Sequence, residues 1–312
     1  MRVLVTGGAG FIGSKVATHL LNRGHQLLLC DNMATGCRTN IDPRARFIEV
    51  GAESPKLHQE MKSFGVEAVA HIGGNSSGEM GEIDPLSDIR WNVESTLNLL
   101  HAAEKLKIRR FVYASSMGVY GQPSEGQKLC EVDSGRPISV YGTGKLCSEA
   151  YLAAFASRGI GCIALRMFNV YGPGQNMANP RQGMVSNYMD QLLRGPKVIV
   201  RGSLERILDF VYIDDVVRGW ELAIERSGLV DGFHAVNIST GVGSKVSEVL
   251  ELMGEYAGGI EIEIQGATPA DQRAVIGDNA LARKFLGWQP QFAVAEGLRN
   301  MWDWAVCQKN SH

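Results

Sequence analysis

Residues 2–13 of the chain read RVLVTGGAGFIG, and residues 14–24 continue as SKVATHLLNRG. A run of β-branched and Leu residues enters a glycine turn. Apolar residues at helical spacing follow the turn, and this pattern ends at Gly24. Glycine suits the left-handed position past a helix end. The pattern predicts a strand, a tight turn and a helix. Gly7, Gly10 and Gly13 would let the backbone turn, approach a pyrophosphate and pack helix on strand, with free N–H groups facing the phosphates.

A second strand is predicted at residues 26–30, and it ends in Asp31, 18 residues after Gly13. A carboxylate at this place can accept both ribose hydroxyls of an adenosine and would repel a 2′-phosphate. The alternative is an ordinary tight turn followed by a surface Asp. The spacing favours a dinucleotide site, with NAD as the cofactor rather than NADP.

Tyr141 and Lys145 are four residues apart in the stretch VYGTGK. Residues at this spacing share one face of a helix, so the Lys ammonium can lie close to the Tyr hydroxyl and stabilise its phenolate. In an arbitrary chain such a pair is most often a surface contact. The upstream nucleotide loop gives it a function, because a phenolate beside a cofactor can act as a base.

The composition excludes several classes of protein. The chain has 312 residues, of which 45% are hydrophobic, and a net charge of −2, with no long basic run. We therefore expect small-molecule partners and no nucleic acid. The six cysteines contain no C-x-x-C pair, so no metal site is predicted. The apolar residues 3–5 are too few for a signal-peptide core, and no run is long enough for a membrane span, so a cytoplasmic protein is expected.

Strand-like and helix-like runs alternate along the chain. This alternation predicts an α/β fold, a Rossmann-type doubly wound parallel sheet, with a smaller mixed α/β C-terminal substrate domain. The NAD-binding domain is predicted at residues 1–170, and the segment of about 208–238 is expected to return to it. Residues 171–207 and 239–312 are assigned to substrate binding. The predicted strands are 2–6, 26–30, 46–50, 67–72, 110–115 and 161–166.

Three further motifs specify a family. They are ASSMGVYG at residues 114–121, RMFNVYGPG at residues 166–174 and LGWQP at residues 286–290. Together with the glycine loop, Asp31, Tyr141 and Lys145, they resemble the extended short-chain dehydrogenase/reductases. Within these, the chain is similar to the UDP-glucose 4-epimerase-like, NAD-dependent nucleotide-sugar epimerase/dehydratase family. The resemblance covers essentially the whole chain.

The resemblance implies roles for individual residues. Ser116, Tyr141 and Lys145 match the catalytic hydroxyl, base and ribose-binding Lys. The residues expected to contact NAD are Gly7, Gly10, Phe11, Ile12, Gly13, Asp31, Asn32, Ala52, Glu53, Ile72, Gly73, Gly74, Asn92, Ser115, Tyr141, Lys145 and Phe168. The residues expected to contact the substrate, a UDP-sugar, are Ser77, Ser116, Met117, Tyr141, Asn169, Val185, Arg206 and Arg273.

Two positions depart from the family pattern or leave an alternative open. The family has an Arg where this chain has Leu208, and Arg206 is the candidate replacement, since a guanidinium can hold two phosphate oxygens. Arg206 and Arg273 could instead be surface residues paired with Glu205 and Asp271. The family chemistry also implies that Lys145 and a positive nicotinamide lower the pKa of Tyr141.

The reaction is predicted from the residues beside Ser116. Sugar 4,6-dehydratases that resemble this chain carry an Asp-Glu pair where Met117 and Gly118 stand. Neither residue can move a proton, so dehydration and decarboxylation are disfavoured. The prediction is a 4-epimerase of a UDP-hexose or UDP-N-acetylhexosamine, which oxidises C4 transiently. A reductase or epimerase of a 4-keto nucleotide sugar and a non-catalytic NAD-binding scaffold remain as alternatives. The resemblance also implies a homodimer, formed by the helix near residues 92–107 and the helix that follows Tyr141.

Overall fold

The computed structural model describes residues 1–124, 126–179, 181–266 and 274–310. Its strands are β1 (Arg2–Thr6), β2 (Gln26–Asp31), β3 (Arg46–Glu49), β4 (Ala68–His71), β5 (Arg110–Ser116), β6 (Lys128–Leu129), β7 (Gly161–Met167), β8 (Asn169–Tyr171), β9 (Lys197–Val200), β10 (Ile207–Leu208), β11 (Phe210–Tyr212), β12 (Phe233–Ile238), β13 (Ser244–Lys245), β14 (Glu261–Ile264) and β15 (Ala274–Gly277). Its α-helices are α1 (Phe11–Asn22), α2 (Lys56–Phe64), α3 (Gly78–Ile83), α4 (Pro85–Asp88), α5 (Ser95–Lys105), α6 (Val140–Ala156), α7 (Met184–Arg194), α8 (Ile213–Ser227), α9 (Val246–Ala257) and α10 (Val294–Asn310). A π-helical segment, Ile89–Glu94, joins α4 to α5.

Seven parallel strands form the main sheet, in the order β12-β7-β5-β4-β1-β2-β3. The register places Val3 beside Leu27 of β2 and beside Ala68 of β4. Both neighbours of β1 are thus parallel, and the chain crosses over through helices, as a doubly wound sheet requires. The predicted α/β fold is confirmed. The six predicted strands are present, with ends that differ from the predictions by at most one residue.

The main sheet is covered on both faces by helices. Val3 and Val5 lie in one core with Val16 of α1 and Trp220 of α8. Leu4, between them in the sequence, lies in a second core with residues of α2, α5 and α6. Successive residues of a strand point to opposite faces, so an unbroken apolar strand fits a sheet buried on both sides. The carboxyl ends of the strands then share one edge of the sheet, where the loops meet.

The segment from residue 208 onward is divided between the two parts of the fold. Strand β12 pairs with β7 at the edge of the main sheet, and α8 packs against β5 and β7. Strand β11 does not join the main sheet. It pairs with β8, which begins two residues after β7 ends and is not part of the main sheet. A four-stranded sheet, β13-β10-β15-β6, lies beyond it.

A buried ion pair fixes helix α6 against the strands. Glu149 of α6 accepts two hydrogen bonds from the Arg166 guanidinium of β7, at 2.6 and 2.9 Å, and both side chains are only 3% exposed. The hydroxyl of Ser115, at the end of β5, donates to the same carboxylate. Helix α6 carries Tyr141, and β5 carries Ser116. The pair therefore sets the position of the helix relative to the strand end.

Replacement of Glu149 tests this contact. We expect Glu149→Ala to lower the free energy of unfolding by about 3–5 kcal/mol, because it leaves the Arg166 guanidinium buried without its counter-charge. Urea denaturation followed by circular dichroism measures the change. The matched control is Asp303→Ala, which breaks the exposed pair of Arg299 and Asp303 and should cost about 0.5 kcal/mol or less. Equal losses in the two variants would contradict the assigned role.

Candidate active site

The glycine loop between β1 and α1 packs backbone against backbone. Gly7 has a φ of +66°, and a Cβ atom on it would lie 2.7 Å from the Cα atom of Gly73. A Cβ atom on Gly13 would overlap the carbonyl oxygen of Gly7. Side chains are therefore excluded at these positions, and the start of α1 lies directly over the ends of β1 and β4.

The start of α1 has the properties of an anion site. Gly10 precedes the helix and offers no side-chain cap, and the first turn holds no acidic residue. The first N–H groups of an α-helix have no partner within the helix and carry a partial positive charge. A pyrophosphate can therefore approach these groups without meeting a side chain. The cradle fits the phosphates of a dinucleotide such as NAD.

The Asp31 carboxylate is held against the same loop. One oxygen accepts the N–H of Ala9 at 3.0 Å, and the other accepts the N–H of Met33 at 2.8 Å. Each carboxylate oxygen keeps a further acceptor site, since an ionised carboxylate has about four. The arrangement fits the two hydroxyls of an adenosine ribose. Asn32 is exposed beside it. The pKa of the Cys30 thiol is raised by burial, then by the charge of Asp31 and last by the charge of Glu53, so Glu53 is also near this strand end.

Ser116, Tyr141 and Lys145 meet at the carboxyl end of the sheet. Ser116 ends β5, Tyr141 lies in the first turn of α6, and Lys145 lies one turn later. The Lys145 ammonium is 5.6 Å from the centre of the Tyr141 ring and 5.0 Å from that of Tyr113. All three predicted catalytic residues line one cleft of about 370 Å³. The helical spacing predicted that Tyr141 and Lys145 lie close together, and the end of β5 places Ser116 beside them.

The protein's own groups raise the pKa of Tyr141 instead of lowering it. Burial, with a smaller effect of the Asp88 charge, raises this pKa to about 12, while a hydrogen bond with Ser116 lowers it. Burial also lowers the pKa of Lys145 to about 8, against the effect of Asp88, which raises it. The expectation that Lys145 lowers the pKa of Tyr141 is not met by the protein alone. A positively charged nicotinamide, which the family chemistry adds, would lower the pKa of Tyr141.

The predicted cofactor contacts divide into three sets. Phe11, Ile12, Ile72, Gly74, Ser115, Tyr141, Lys145 and Phe168 line the cleft. Gly7, Gly10, Gly13, Gly73, Asp31, Asn32, Ala52 and Glu53 belong to the loop and to the strand ends beside it, and the Gly73 N–H donates to the Thr6 carbonyl. Asn92 is buried beneath the cleft, where its amide donates to Asp88 at 3.0 Å.

The predicted substrate contacts are more scattered. Met117, Asn169 and Val185 line the cleft with Ser116 and Tyr141. Ser77 is buried, and its hydroxyl donates to the carbonyl of residue 181. Arg206 is also buried, and its guanidinium donates to the carbonyls of Ser203 and Arg201 at 3.0 and 2.8 Å. In these contacts the Arg206 guanidinium is therefore bound by backbone carbonyls of its own loop. Arg273 and its alternative partner Asp271 lie outside the described residues.

The structure adds residues that the sequence did not single out. Gln175 lines the cleft, is 7% exposed, and has a buried amide oxygen with no hydrogen-bond partner. Gln182 also lines the cleft and donates to the Ser76 hydroxyl across 106 residues of sequence. Asp88 lies beneath Tyr141 and Lys145. Gln175 directly follows the motif at residues 166–174, so its position carried a signal, whereas Gln182 and its partner Ser76 are 106 residues apart in the sequence.

Comparison with known proteins identifies the family. A model of the NAD-dependent epimerase/dehydratase family matches residues 3–239. The chain belongs to this family. UDP-glucose 4-epimerase of Mycolicibacterium smegmatis is 32% identical over 306 residues, which cover 96% of each chain. UDP-glucuronic acid decarboxylase 1 of Arabidopsis thaliana is 30% identical over 312 residues, which cover 96% of this chain and 69% of that one.

A solved structure extends the likeness to the whole fold. UDP-glucose 4-epimerase of Thermotoga maritima, crystallised with UDP-glucose, aligns with a TM-score of 0.94 at 32% identity, covering 100% of both chains. The resemblance stated from the motifs is confirmed, and NAD as cofactor is confirmed by membership of this family. Within the described ranges, no helix is both long and apolar enough to span a bilayer.

Replacement of Asp31 tests the cofactor site of this family member. We expect Asp31→Ala to weaken NAD binding by about tenfold or more, because each hydrogen bond to a charged group contributes about 1.5–3 kcal/mol. Calorimetric titration of the cofactor-free protein with NAD measures the change.

The control for this measurement is Asp42→Ala. Asp42 holds the Arg44 side chain and the Thr18 hydroxyl, away from the glycine loop. This variant should keep the wild-type affinity. An Asp31→Ala protein that binds NAD as tightly as the Asp42→Ala protein would show that the ribose lies elsewhere.

Proposed function

We propose that the protein is an NAD-dependent 4-epimerase of a UDP-hexose or UDP-N-acetylhexosamine. The observation that carries the proposal is the chemistry of the cleft. Among the described residues that line it, Lys145 is the one charged side chain, and no Asp or Glu is present. Tyr141 and Ser116 are then the groups placed to exchange a proton with a sugar hydroxyl.

In this reaction Tyr141 removes the proton from the C4 hydroxyl, and Ser116 hydrogen-bonds the same oxygen. Bound NAD would take up the hydride from C4 and return it. The glycine loop and Asp31 hold the cofactor, and Lys145 keeps a positive charge beside the Tyr141 oxygen. When the hydride returns to the opposite face, Tyr141 gives back the proton.

The 4-keto sugar must turn over between the two hydride transfers. The wall of the cleft beyond Tyr141 is built from short and amide side chains, including Ser76, Gly78, Gln182 and Gly183. These groups offer hydrogen bonds without the fixed charge that would hold the sugar in one orientation. We assign the binding of the nucleotide to other groups: Asn169, which lines the cleft, and Arg206 and Arg273, for which the sequence is the ground.

The same cleft disfavours the other chemistries of the family. A dehydratase must move protons at two further carbons, which requires additional acids and bases. Met117 and Gly118, next to Ser116, line the cleft and supply none. The likeness to a UDP-glucuronic acid decarboxylase makes decarboxylation the alternative to exclude in an assay.

The experiment incubates the purified protein, without added coenzyme, with UDP-glucose, UDP-N-acetylglucosamine and UDP-glucuronic acid separately. The products are identified by proton NMR, and released cofactor is identified by mass spectrometry. Formation of the 4-epimer of either neutral sugar by a protein that carries NAD supports the proposal. Formation of a UDP-pentose would overturn it in favour of a decarboxylase. If no 4-epimer forms, stoichiometric consumption of NADH in a separate incubation with a 4-keto nucleotide sugar would overturn it in favour of a reductase.

Replacement of Tyr141 tests the proposed base. We expect Tyr141→Phe to lower turnover by about two to four orders of magnitude, the usual contribution of a general acid–base group, while NAD and substrate still bind. Single-turnover and steady-state kinetics measure this. Tyr151→Phe removes a hydroxyl from an exposed part of the same helix and serves as the control. Near-normal turnover in Tyr141→Phe would refute the assignment.

We also propose that two copies of the chain associate through helices α5 and α6 and the segment before α5. Large apolar side chains are exposed at the end of α3, on α4, at the start of the π-helical segment and before α6: Ile83, Leu86, Ile89 and Ile138. A groove runs between these segments, with Val93 and Cys147 among its lining residues. An exposed apolar patch of this kind is typical of a protein interface.

A charged residue in this patch tests the proposed homodimer. We expect Ile89→Asp to convert the dimer to a monomer, because the charge would lose water at the interface. Light scattering coupled to gel filtration gives the mass of each variant. Leu229→Asp is the control, since Leu229 is exposed after α8, on the other face of the sheet. A wild-type protein of monomer mass would refute the proposal.

A further inference from the structure

Asp88 is a buried carboxylate at the meeting point of three segments. It is 1% exposed. One of its oxygens accepts the side-chain N–H groups of Asn75 at 2.7 Å and Asn92 at 3.0 Å. Asn75 lines the cleft from the loop after β4, and Asn92 lies in the π-helical segment. Asp88 therefore joins a wall residue of the cleft to a residue beneath it.

The other carboxylate oxygen faces the catalytic helix. It is buried and has no hydrogen-bond partner. A Cβ atom on Gly144 would lie 2.7 Å from it, so the carboxylate fits only because residue 144 is a glycine. Gly144 stands between Tyr141 and Lys145 on α6. A buried, half-satisfied carboxylate is costly, so its placement here needs a charge that it compensates.

Asn92 lies close to both this carboxylate and the Lys145 ammonium. Its amide oxygen is also buried without a partner. A Cβ atom on Gly74 would overlap that oxygen and would lie 3.5 Å from the Lys145 nitrogen. The amide oxygen and the ammonium therefore lie on the same side of Gly74.

The other titratable groups described around this site are neutral, ion-paired or exposed. They are His71 on β4, Tyr113 on β5, Glu82 on α3 and Glu149 on α6. Burial lowers the pKa of His71 to about 3 and raises the pKa of Tyr113. Glu149 is bound by Arg166, and Glu82 is an exposed residue that accepts the N–H of Val140. Asp88 is the buried carboxylate whose charge acts on both Tyr141 and Lys145.

We propose that Asp88 is a positioning residue of the reaction, which orients Asn75 and Asn92 and supplies the negative charge that keeps Lys145 an ammonium beneath Tyr141. The role rests on the proposed function of the cleft. It differs from the roles of Ser116, Tyr141 and Lys145, because Asp88 does not line the cleft and acts through other residues.

The proposal has a consequence for the pH dependence of turnover. A negative charge favours the ammonium of Lys145 and disfavours the phenolate of Tyr141, so it raises both pKa values. Removal of the charge lowers both. The phenolate then forms at lower pH, and the ammonium is also lost at lower pH. Both limbs of the pH profile therefore move in the acidic direction, by about one unit for a charge several ångströms away in a medium of intermediate dielectric constant.

The test compares Asp88→Asn with the wild-type holoenzyme. The amide has the size of the carboxylate, and its oxygen can still accept from Asn75 and Asn92. The kcat of each protein is measured as a function of pH with the sugar that the wild type epimerises. A second measurement needs no turnover: ultraviolet difference titration follows phenolate formation, with Tyr141→Phe in each background to isolate the signal of Tyr141. Asp84→Asn is the control, because it removes a charge four residues earlier from an exposed helix cap.

The expected result is an acidic shift of both limbs, and of the Tyr141 titration, in Asp88→Asn but not in Asp84→Asn. A uniform loss of kcat with no shift would show a purely structural role and would overturn the proposal, as would profiles that superimpose. If the wild type epimerises none of the sugars, the proposed function fails, and the phenolate titration still decides the role of Asp88. Should Asp88→Asn not fold, Asp88→Ser removes the same charge with a smaller side chain and must show the same shift.

Discussion

A buried ammonium at the carboxyl edge of a parallel sheet is the constraint on which the site depends. Lys145 is 3% exposed, and burial alone favours its neutral form. The Asp88 charge opposes this effect, and the rings of Tyr113 and Tyr141 lie 5.0 and 5.6 Å from the ammonium. Burial raises the pKa of Tyr141, which favours the neutral phenol. Under the proposed function, the positive charge of an oxidised cofactor would favour the phenolate, so proton removal would depend on the presence of the hydride acceptor.

Helix α6, which carries Lys145, fixes the position of this ammonium. Glu149 and Arg166 join the helix to β7, and Ser115 joins the same carboxylate to β5. One buried pair therefore fixes the distance between Ser116, at a strand end, and Tyr141, at the helix start. No carboxylate is present among the described residues that line the cleft. Under the proposed function, no fixed negative charge in this lining would hold the sugar in one orientation, which suits epimerisation better than elimination.

The sequence predicted the parts of the site that depend on local geometry. Gly7 and Gly13 follow from the close approach of backbone segments, Asp31 from the spacing to the second strand, and Tyr141 with Lys145 from helical periodicity. Family resemblance supplied Ser116. The sequence could not assign Asp88 a role, because Asn75 and Gly144, which lie close to its carboxylate, belong to other segments of the chain. Nor could it show that the Arg206 side chain is bound by backbone carbonyls.

The sequence by itself determined the α/β fold, the family and the cofactor, because these depend on short periodic patterns and on glycines whose requirement is local. Only the tertiary structure decided which charged groups lie buried near the cleft and which side chains form hydrogen bonds across it. Burial changes the pKa of Tyr141 and Lys145, and burial is a property of everything packed around a group. No spacing along the chain encodes the contact between Gln182 and Ser76, since it exists only when two distant loops fold onto the same edge of the sheet.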